Sequence, residues 1–190
     1  MIVRTGLKTL LLACISSLSC PALAADNLLR NPSFEQPMDP TSWTCDMAAD
    51  WIRWGHWMNR ETRWVPTHSG DCLIGYRHWQ ITGTENSGLA QDVLKTEAGR
   101  IYDFQIYSFS DHDTNAETIS LRLEALKAGV ALTTRVYKVE SVPVGKWMPL
   151  TVSAKAPEGG MRVVILVEPR LKADRKGAIK FDDASLIPEE

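Results

Sequence analysis

Apolar and polar residues alternate one by one in four segments after residue 100. Successive side chains of a β-strand point to opposite faces of its sheet, so this period of two predicts strands with one buried face. Turn-forming residues such as Gly129, Gly145 and Gly159 separate the segments, and no stretch shows the apolar stripe of a helix. The alternating apolar residues are Tyr102, Phe104 and Ile106; Ile119, Leu121, Leu123 and Ala125; Met148, Leu150 and Val152; and Ile179 and Phe181.

The segment from Met161 to Val167 differs because it is apolar at almost every position. This pattern predicts a central strand covered on both faces, or a strand that contributes one face to a binding site. With the alternating segments it indicates eight to nine strands in one domain. The sequence therefore predicts an all-β protein, an antiparallel β-sandwich of the jelly-roll type.

Residues 1–24 are organised like an export signal. Arg4 and Lys8 form a basic start, and Ala22-Leu23-Ala24 fits the small-x-small pattern of a signal peptidase site. The apolar run between them is too short to cross a bilayer as a permanent helix. A lipoprotein signal ending at Cys14 is the alternative, although it leaves very little apolar sequence before the cysteine. We expect an exported protein, periplasmic or secreted.

After removal of the signal, residues 25–190 are expected to form a single domain with two cysteines, Cys45 and Cys72. In an oxidising compartment the simplest expectation is one disulfide between them. Such a bond would contribute about 3 kcal/mol to stability through the entropy of the unfolded chain. A zinc site completed by a nearby histidine is the alternative, but no Cys-x-x-Cys spacing supports it.

The charge of the chain limits the kinds of partner it can have. The formal net charge is −2, and lysine and arginine are not clustered anywhere. Nucleic-acid binding requires clustered basic residues, so we do not expect a nucleic-acid partner. The chain after the signal has no apolar stretch of about 20 residues, and we expect no membrane anchor.

Six of the seven tryptophans lie between Trp43 and Trp79, and this stretch also contains both cysteines of the domain. Tryptophan gains much from burial, yet its N–H needs a hydrogen-bond partner. One interpretation is a corner of the core closed by a disulfide. The other is that one or two rings face outward as platforms on which a ligand stacks.

Several short motifs occur in an order that is similar to a known family. The domain opens with Asn27-Leu28-Leu29-Arg30-Asn31-Pro32-Ser33-Phe34-Glu35 and closes with Phe181-Asp182-Asp183-Ala184-Ser185-Leu186. Between them lie His68-Ser69-Gly70-Asp71, Leu89-Ala90-Gln91-Asp92-Val93, Ala98-Gly99-Arg100-Ile101-Tyr102 and Gly145-Lys146-Trp147. In this order the motifs resemble carbohydrate-binding modules of the families 4, 9 and 22 type, within the galactose-binding-like jelly rolls. The region 38–66 fits that pattern least.

The resemblance implies a non-catalytic domain that binds a poly- or oligosaccharide, with a sugar stacked on an aromatic ring and its hydroxyl groups bound by planar polar side chains. Each implied residue also has a structural interpretation: Trp79 in the core, Arg77 paired with Glu168, or Tyr107 at the edge of the sandwich. The candidate ligand-binding residues are Trp79, Arg77, Tyr107, Gln105 and Glu168, followed by Trp54 and Trp57.

The resemblance also implies a structural calcium ion between the opening and closing motifs. The family's ligand positions correspond here to Glu35, Asp182 and the Gly70–Asp71 turn. Calcium prefers six to eight oxygen ligands from carboxylates and carbonyls, which these residues offer. The alternative is that Glu35 and Asp182 accept hydrogen bonds from nearby backbone groups.

Motifs for catalysis are weak in this sequence. There is no G-x-S-x-G elbow, no H-E-x-x-H pattern and no strand of alternating acids. Tyr76, Arg77 and His78 are residue types that polysaccharide lyases use, but alternation places Arg77 on the opposite face from Tyr76 and His78. We therefore expect no enzyme activity. The alternatives are a domain that binds an envelope protein during assembly and a small polysaccharide lyase or hydrolase.

Overall fold

The computed structural model describes residues 26–41, 47–55, 58–62, 66–77, 85–170 and 177–189. Within these ranges the chain forms ten β-strands and one short 3-10 helix, Val139–Ser141. The strands are β1 (Ile52–Trp54), β2 (Met58–Glu61), β3 (Leu73–Tyr76), β4 (Ser87–Val93), β5 (Ile101–Ser110), β6 (Ala116–Ala125), β7 (Val130–Lys138), β8 (Trp147–Lys155), β9 (Met161–Pro169) and β10 (Ile179–Pro188).

The strands form two five-stranded sheets that pack face to face. The first sheet has the order β1-β4-β9-β6-β7 and the second has the order β2-β3-β10-β5-β8. All neighbouring strands are antiparallel. The predicted antiparallel sandwich is therefore confirmed. The described ranges contain ten strands rather than the predicted eight or nine, because β1 and β2 are too short to show a period of two.

The core lies between the sheets and is built from the alternating residues that the sequence shows. Phe104 and Ile106 of β5 are fully buried, and so are Leu121 and Leu123 of β6. Strand β9 lies between β4 and β6, so the predicted central position of the segment from Met161 to Val167 is confirmed. Its outer face is not fully covered, because Arg162 and Leu166 are partly exposed. Full burial of such side chains contributes about 1.5–3 kcal/mol each, which makes this layer the main source of stability.

The two sheets are also joined along one edge. The Tyr137 hydroxyl on β7 donates a hydrogen bond to the Thr151 carbonyl on β8 at 2.7 Å and accepts one from the Thr151 amide at 2.9 Å. The Arg135 guanidinium lies over the Tyr137 ring, 5.0 Å from its centroid. Two edge strands of different sheets are thus tied together by one side chain.

The opening and closing motifs lie side by side, as the resemblance implied. The Asn27 side-chain oxygen accepts a hydrogen bond from the Leu186 amide at 2.9 Å, and its amide nitrogen donates to the Ala184 carbonyl at 2.9 Å. The Leu28 amide donates to the Leu186 carbonyl at 3.0 Å. These bonds attach the start of the domain to β10.

The structure gives different positions to two of the clustered tryptophans. Trp51 is 1% exposed, its ring centroid lies 5.2 Å from that of Phe34, and its N–H donates to the Asn31 carbonyl at 3.1 Å. Trp54 is partly exposed on β1. Of these two rings, one is therefore part of the core and the other is partly open to solvent. The remaining members, Trp43, Trp57, Trp64 and Trp79, lie outside the described residues.

The predicted disulfide involves one residue that lies outside the described part of the chain, Cys45. Cys72 is a buried free thiol in the structure, and the Arg60 guanidinium lies 2.7 Å from its sulfur. Burial raises the pKa of the Cys72 thiol to about 11. The pairing stays a prediction, as does the export signal at residues 1–24. No helix in the described ranges has the length and apolar character that a membrane crossing needs.

Replacement of the two described tryptophans of the cluster should affect stability differently. We expect Trp51→Ala to lower the free energy of unfolding by about 3–5 kcal/mol, because it removes a fully buried ring and leaves a cavity. Trp54→Ala should lower it by about 1 kcal/mol or less, since the ring is partly exposed. Urea denaturation of both variants measures the difference, and equal losses would contradict these assignments.

Mass spectrometry of unreduced protein isolated from an oxidising compartment tests the disulfide. We expect a peptide pair that joins Cys45 to Cys72 and a loss of about 2–4 kcal/mol in unfolding free energy for Cys72→Ser. Cys45→Ser should give the same loss, because either change opens the same loop. Two free thiols in the isolated protein would show that the prediction is wrong.

Candidate functional site

The structure divides the predicted ligand-binding residues between the two outer faces of the sandwich. Trp54 on β1 and Glu168 on β9 belong to the first sheet. Gln105 and Tyr107 lie on β5 of the second sheet, and Arg77 directly follows β3 of that same sheet. The resemblance implied that these residues share one surface. In the structure they do not, because they belong to different sheets. Trp57 and Trp79 lie outside the described residues.

Tyr107 has one ring face covered by another side chain. The His68 ring stacks on it with a centroid distance of 3.7 Å and an interplanar angle of 18°. The His68 ring nitrogen Nδ1 lies 2.5 Å from the Asp183 carboxylate, which fixes the orientation of the imidazole. The neighbouring Trp147 ring meets His68 edge-on at 5.6 Å. One face of the Tyr107 ring is therefore occupied by His68 and is closed to a ligand.

The second sheet also carries charged side chains that are packed away from solvent. Lys180 is 1% exposed, and its ammonium group lies 2.7 Å from Asp111 and 4.8 Å from the centre of the Phe109 ring. Glu61 is 8% exposed, and burial raises the pKa of its carboxyl group, an effect that nearby Arg77 opposes. The Lys180–Asp111 ion pair joins β10 to the segment that follows β5.

The first sheet carries a groove on its outer face. Its cavity is about 270 Å³ in volume, large enough for part of a small-molecule or sugar ligand. Trp54 lies on one edge strand, and the directly opposite residues across the sheet are Gly88, Leu166, Ser120 and Val136. The residues that line the groove are Ile52, Trp54, Ala90, Arg122, Glu124, Arg162, Val164 and Leu166.

The absence of a side chain at Gly88 lets the Trp54 ring lie on the sheet. A Cβ atom at Gly88 would overlap Trp54 Cζ2 and Cη2, so only glycine leaves this space. The indole therefore lies against the backbone of β4 at the end of a floor formed by Ala90, Val164 and Leu166. Trp54 is the last residue of strand β1.

Two ion pairs form the polar wall of the groove. The Arg162 guanidinium binds Asp92 through two hydrogen bonds, of 2.6 and 3.2 Å, and this pairing raises the pKa of Arg162. Arg122 donates to the Glu124 carboxylate at 3.3 Å. These four residues were missed by sequence reasoning. Arg122 and Glu124 could have been found from their outward positions in the alternating segment that forms β6, whereas Asp92 and Arg162 lie in β4 and β9, which do not alternate.

Glu168 lies on the same face of the first sheet as the groove but nearer one end. Its carboxylate accepts a hydrogen bond of 2.8 Å from the Thr118 hydroxyl. Arg77, which the sequence offered as its partner in the structural interpretation, directly follows β3 of the second sheet. Among the predicted ligand residues that the structure describes, Trp54 alone lines the groove.

The predicted calcium ligands hold the turn at residues 68–72. The Asp182 carboxylate accepts hydrogen bonds from the amides of His68 at 2.8 Å and Ser69 at 3.2 Å. The Glu35 carboxylate accepts from the amides of Asp71 at 3.0 Å and Cys72 at 3.1 Å. These bonds are the alternative that the sequence left open for Glu35 and Asp182, and they join the turn to both motifs.

The same residues do not by themselves form a metal cage. In the described ranges, no group of three or more His, Cys, Asp or Glu side chains is placed to hold a metal ion. A calcium ion beside Glu35, Asp71 and Asp182 would need backbone carbonyls, and the Gly70 carbonyl already accepts a 2.7 Å hydrogen bond from Thr67. Calcium binding stays a prediction.

No protein-family model matches this chain, and no curated protein sequence matches it. The fold, however, is similar to solved structures. TmCBM61 in complex with β-1,4-galactotriose has a TM-score of 0.62 at 18% identity, over 87% of this chain and 100% of that one. The CBM22-1 xylan-binding domain of Paenibacillus barcinonensis Xyn10C has a TM-score of 0.54 at 16% identity, over 88% of this chain and 97% of that one.

Enzymes share the fold as well. The Stig cyclase Fisc from Fischerella sp. TAU has a TM-score of 0.62 at 15% identity, over 87% of this chain and 98% of that one. The MgGH51 α-L-arabinofuranosidase has a TM-score of 0.61 at 15% identity over 85% of this chain, which spans only 26% of that enzyme. At these identities the likeness establishes the fold, a β-sandwich shared with carbohydrate-binding modules, and not the function.

Calorimetric titration of chelated protein with calcium chloride tests the metal prediction. An ion that binds only the folded state raises the melting temperature, so we expect calcium to give a measurable heat of binding and a higher melting temperature. Asp182→Asn should weaken both effects by removing a charged ligand. Absence of heat with an unchanged melting temperature would contradict the prediction.

The buried Asp182 carboxyl should make stability depend on pH. Burial raises its pKa from 3.8 to about 6. The folded state then binds more protons than the unfolded state between these values, so this group's contribution to stability is present below pH 3.8 and is lost as pH rises to about 6. In calcium-free buffer we expect Asp182→Asn to remove this part of the pH dependence. An identical pH profile for both proteins would refute the assignment.

Proposed function

We propose that this chain is an exported, non-catalytic glycan-binding protein that holds its ligand in the groove of the first sheet. The observation that carries the proposal is the position of Trp54, a partly exposed ring lying at the end of an apolar floor and beside two ion pairs. Carbohydrates need both elements, because a pyranose ring has an apolar C–H face and a rim of hydroxyl groups.

The proposed binding mode assigns each part of the groove a role. One sugar residue stacks on Trp54, and its neighbours lie along Ala90, Val164 and Leu166. Hydroxyl groups at the rim bind the Arg162–Asp92 and Arg122–Glu124 pairs, which offer charged donors and acceptors with fixed geometry. The two arginines and two carboxylates balance in charge, which suits a ligand with many hydroxyl groups.

The fold supports a binding role of this kind. The solved neighbours include TmCBM61 in complex with β-1,4-galactotriose and a CBM22 xylan-binding domain. Glycosidases, by contrast, need an acid and a carboxylate that face each other across the sugar. Here Asp92 and Glu124 each contact an arginine, so they are placed to orient hydroxyl groups. The non-catalytic assignment is part of the proposal.

A protein partner is the second candidate, and one observation favours it. The edge strand β7 exposes apolar side chains, with Val130 at 55%, Leu132 at 37% and Val136 at 59%. An envelope protein could bind this edge, which adjoins the groove. Co-purification from a periplasmic extract distinguishes the candidates, because a glycan ligand in excess should release a glycan-dependent complex and leave a complex at β7 intact.

A glycan array followed by calorimetry tests the proposal. We expect binding to a poly- or oligosaccharide. We expect Trp54→Ala to weaken this binding by about 5- to 150-fold, because the analogous stacking of a nucleobase on an aromatic side chain contributes about 1–3 kcal/mol. The matched control is Tyr107→Ala on the opposite face, which should keep the affinity of the unaltered protein.

Two results would contradict the proposal. The first is an array on which no glycan binds the folded protein. The second is full affinity in Trp54→Ala together with lost affinity in Tyr107→Ala, which would move the site to the second sheet. Circular dichroism on each variant should show an unchanged sheet spectrum, so that lost binding is not a consequence of unfolding.

A further inference from the structure

A second pocket lies at one end of the sandwich, apart from the groove. We call it the end pocket. Its cavity is about 250 Å³ in volume, and it lies where β5 leads into β6 and where β7 and β9 end. The residues that line it are Ser110, Asp111, His112, Asp113, Thr114, Ala116, Val139, Glu140, Val142, Val144 and Arg170.

One buried hydroxyl group of the end pocket lacks a hydrogen-bond partner among the described residues. Thr114 is 6% exposed, and its hydroxyl has no hydrogen-bond partner among the described residues. A buried hydroxyl without a partner costs about 1–3 kcal/mol, so native structures seldom keep one without a reason. A ligand hydroxyl inside the pocket would supply the missing partner.

The rest of the polar wall is held in place by neighbouring residues. The Arg170 guanidinium donates to the Glu117 carboxylate at 2.6 Å and also to the Glu140 carboxylate, across the mouth of the pocket. Asp113 adopts a left-handed conformation with φ of 60°, and its carbonyl accepts the Gly177 amide at 3.0 Å. The wall is therefore ordered by contacts that do not involve the interior of the pocket.

The opposite wall is apolar. Val139 and Val142 are buried, at 5% and 2% exposure, and Val144 forms an exposed lip at 44%. One apolar and one polar wall match the two sides of a single sugar ring. The carboxylates of Asp113 and Glu140 at the mouth disfavour an anionic ligand, and the described residues contain no group of metal-binding side chains.

We propose that the end pocket is a second carbohydrate site, which takes one neutral sugar residue with several hydroxyl groups, such as the end of a glycan chain. Thr114 and Asp113 bind its hydroxyl groups, and Val142 and Val144 contact its C–H face. The choice of ligand class rests on the proposed function, but the pocket is a separate site. Arg122 in the groove and Ala116 in the end pocket are six residues apart on β6, a separation of about 20 Å.

An NMR titration tests this proposal. Isotope-labelled protein is titrated with a panel of neutral methyl hexosides and pentosides, and binding is measured from the amide chemical shifts. We expect at least one glycoside to shift amides in the ranges 110–116 and 139–144. Thr114→Val and Asp113→Asn should each weaken that binding at least fivefold. Asn tolerates the left-handed conformation of residue 113, so the backbone is preserved.

The matched control is Asp50→Asn, which makes the same chemical change at another aspartate with positive φ, 67°. It should bind the glycoside like the unaltered protein. Trp54→Ala should also keep the shifts at the end pocket, and a separate oligosaccharide titration reports on the groove, so the two sites can fail independently. The proposal is overturned if no glycoside shifts these amides, or if Thr114→Val and Asp113→Asn bind as well as Asp50→Asn.

Discussion

Burial of one face of the long strands β5, β6, β9 and β10 between the two sheets is the constraint on which this structure depends. A residue in such a strand belongs either to the core or to an outer surface, and its position in the alternation decides which. Leu121 and Leu123 fill the core, so Arg122 and Glu124 must face outward. The groove is therefore a direct product of the pattern that builds the core.

Strand β9 shows how far the sequence alone could lead. The run of apolar residues from Met161 predicted a central strand, and the sheet order confirms it. The fold class followed from such local patterns. The groove did not, because it combines residues from β1, β4, β6 and β9, and cross-strand neighbours depend on topology and register that no local pattern contains. Trp51 and Trp54 show the same limit, since nothing in their spacing distinguishes a core ring from a groove ring.

The candidate site was predicted only in part for a related reason. The resemblance grouped Tyr107 with Glu168, yet β5 and β9 belong to different sheets. Each residue faces outward as alternation requires, but the two outer faces point in opposite directions. Trp54 was among the candidate ligand residues, and it lines the groove. What allowed it to lie on the sheet, the missing side chain at Gly88, is visible only in three dimensions.

The bond between Tyr137 and the backbone of Thr151 has a consequence for how the protein behaves at high concentration. Strand β7 is nine residues long, and an edge of that length is a template on which a second molecule could add a strand. Tyr137 ties this edge to the other sheet, and the shift in pairing after Leu123 breaks its straight run. Charged Arg135 and Lys138 add repulsion between like edges. These features make the edge of β7 a poorer template for strand addition than its length alone implies.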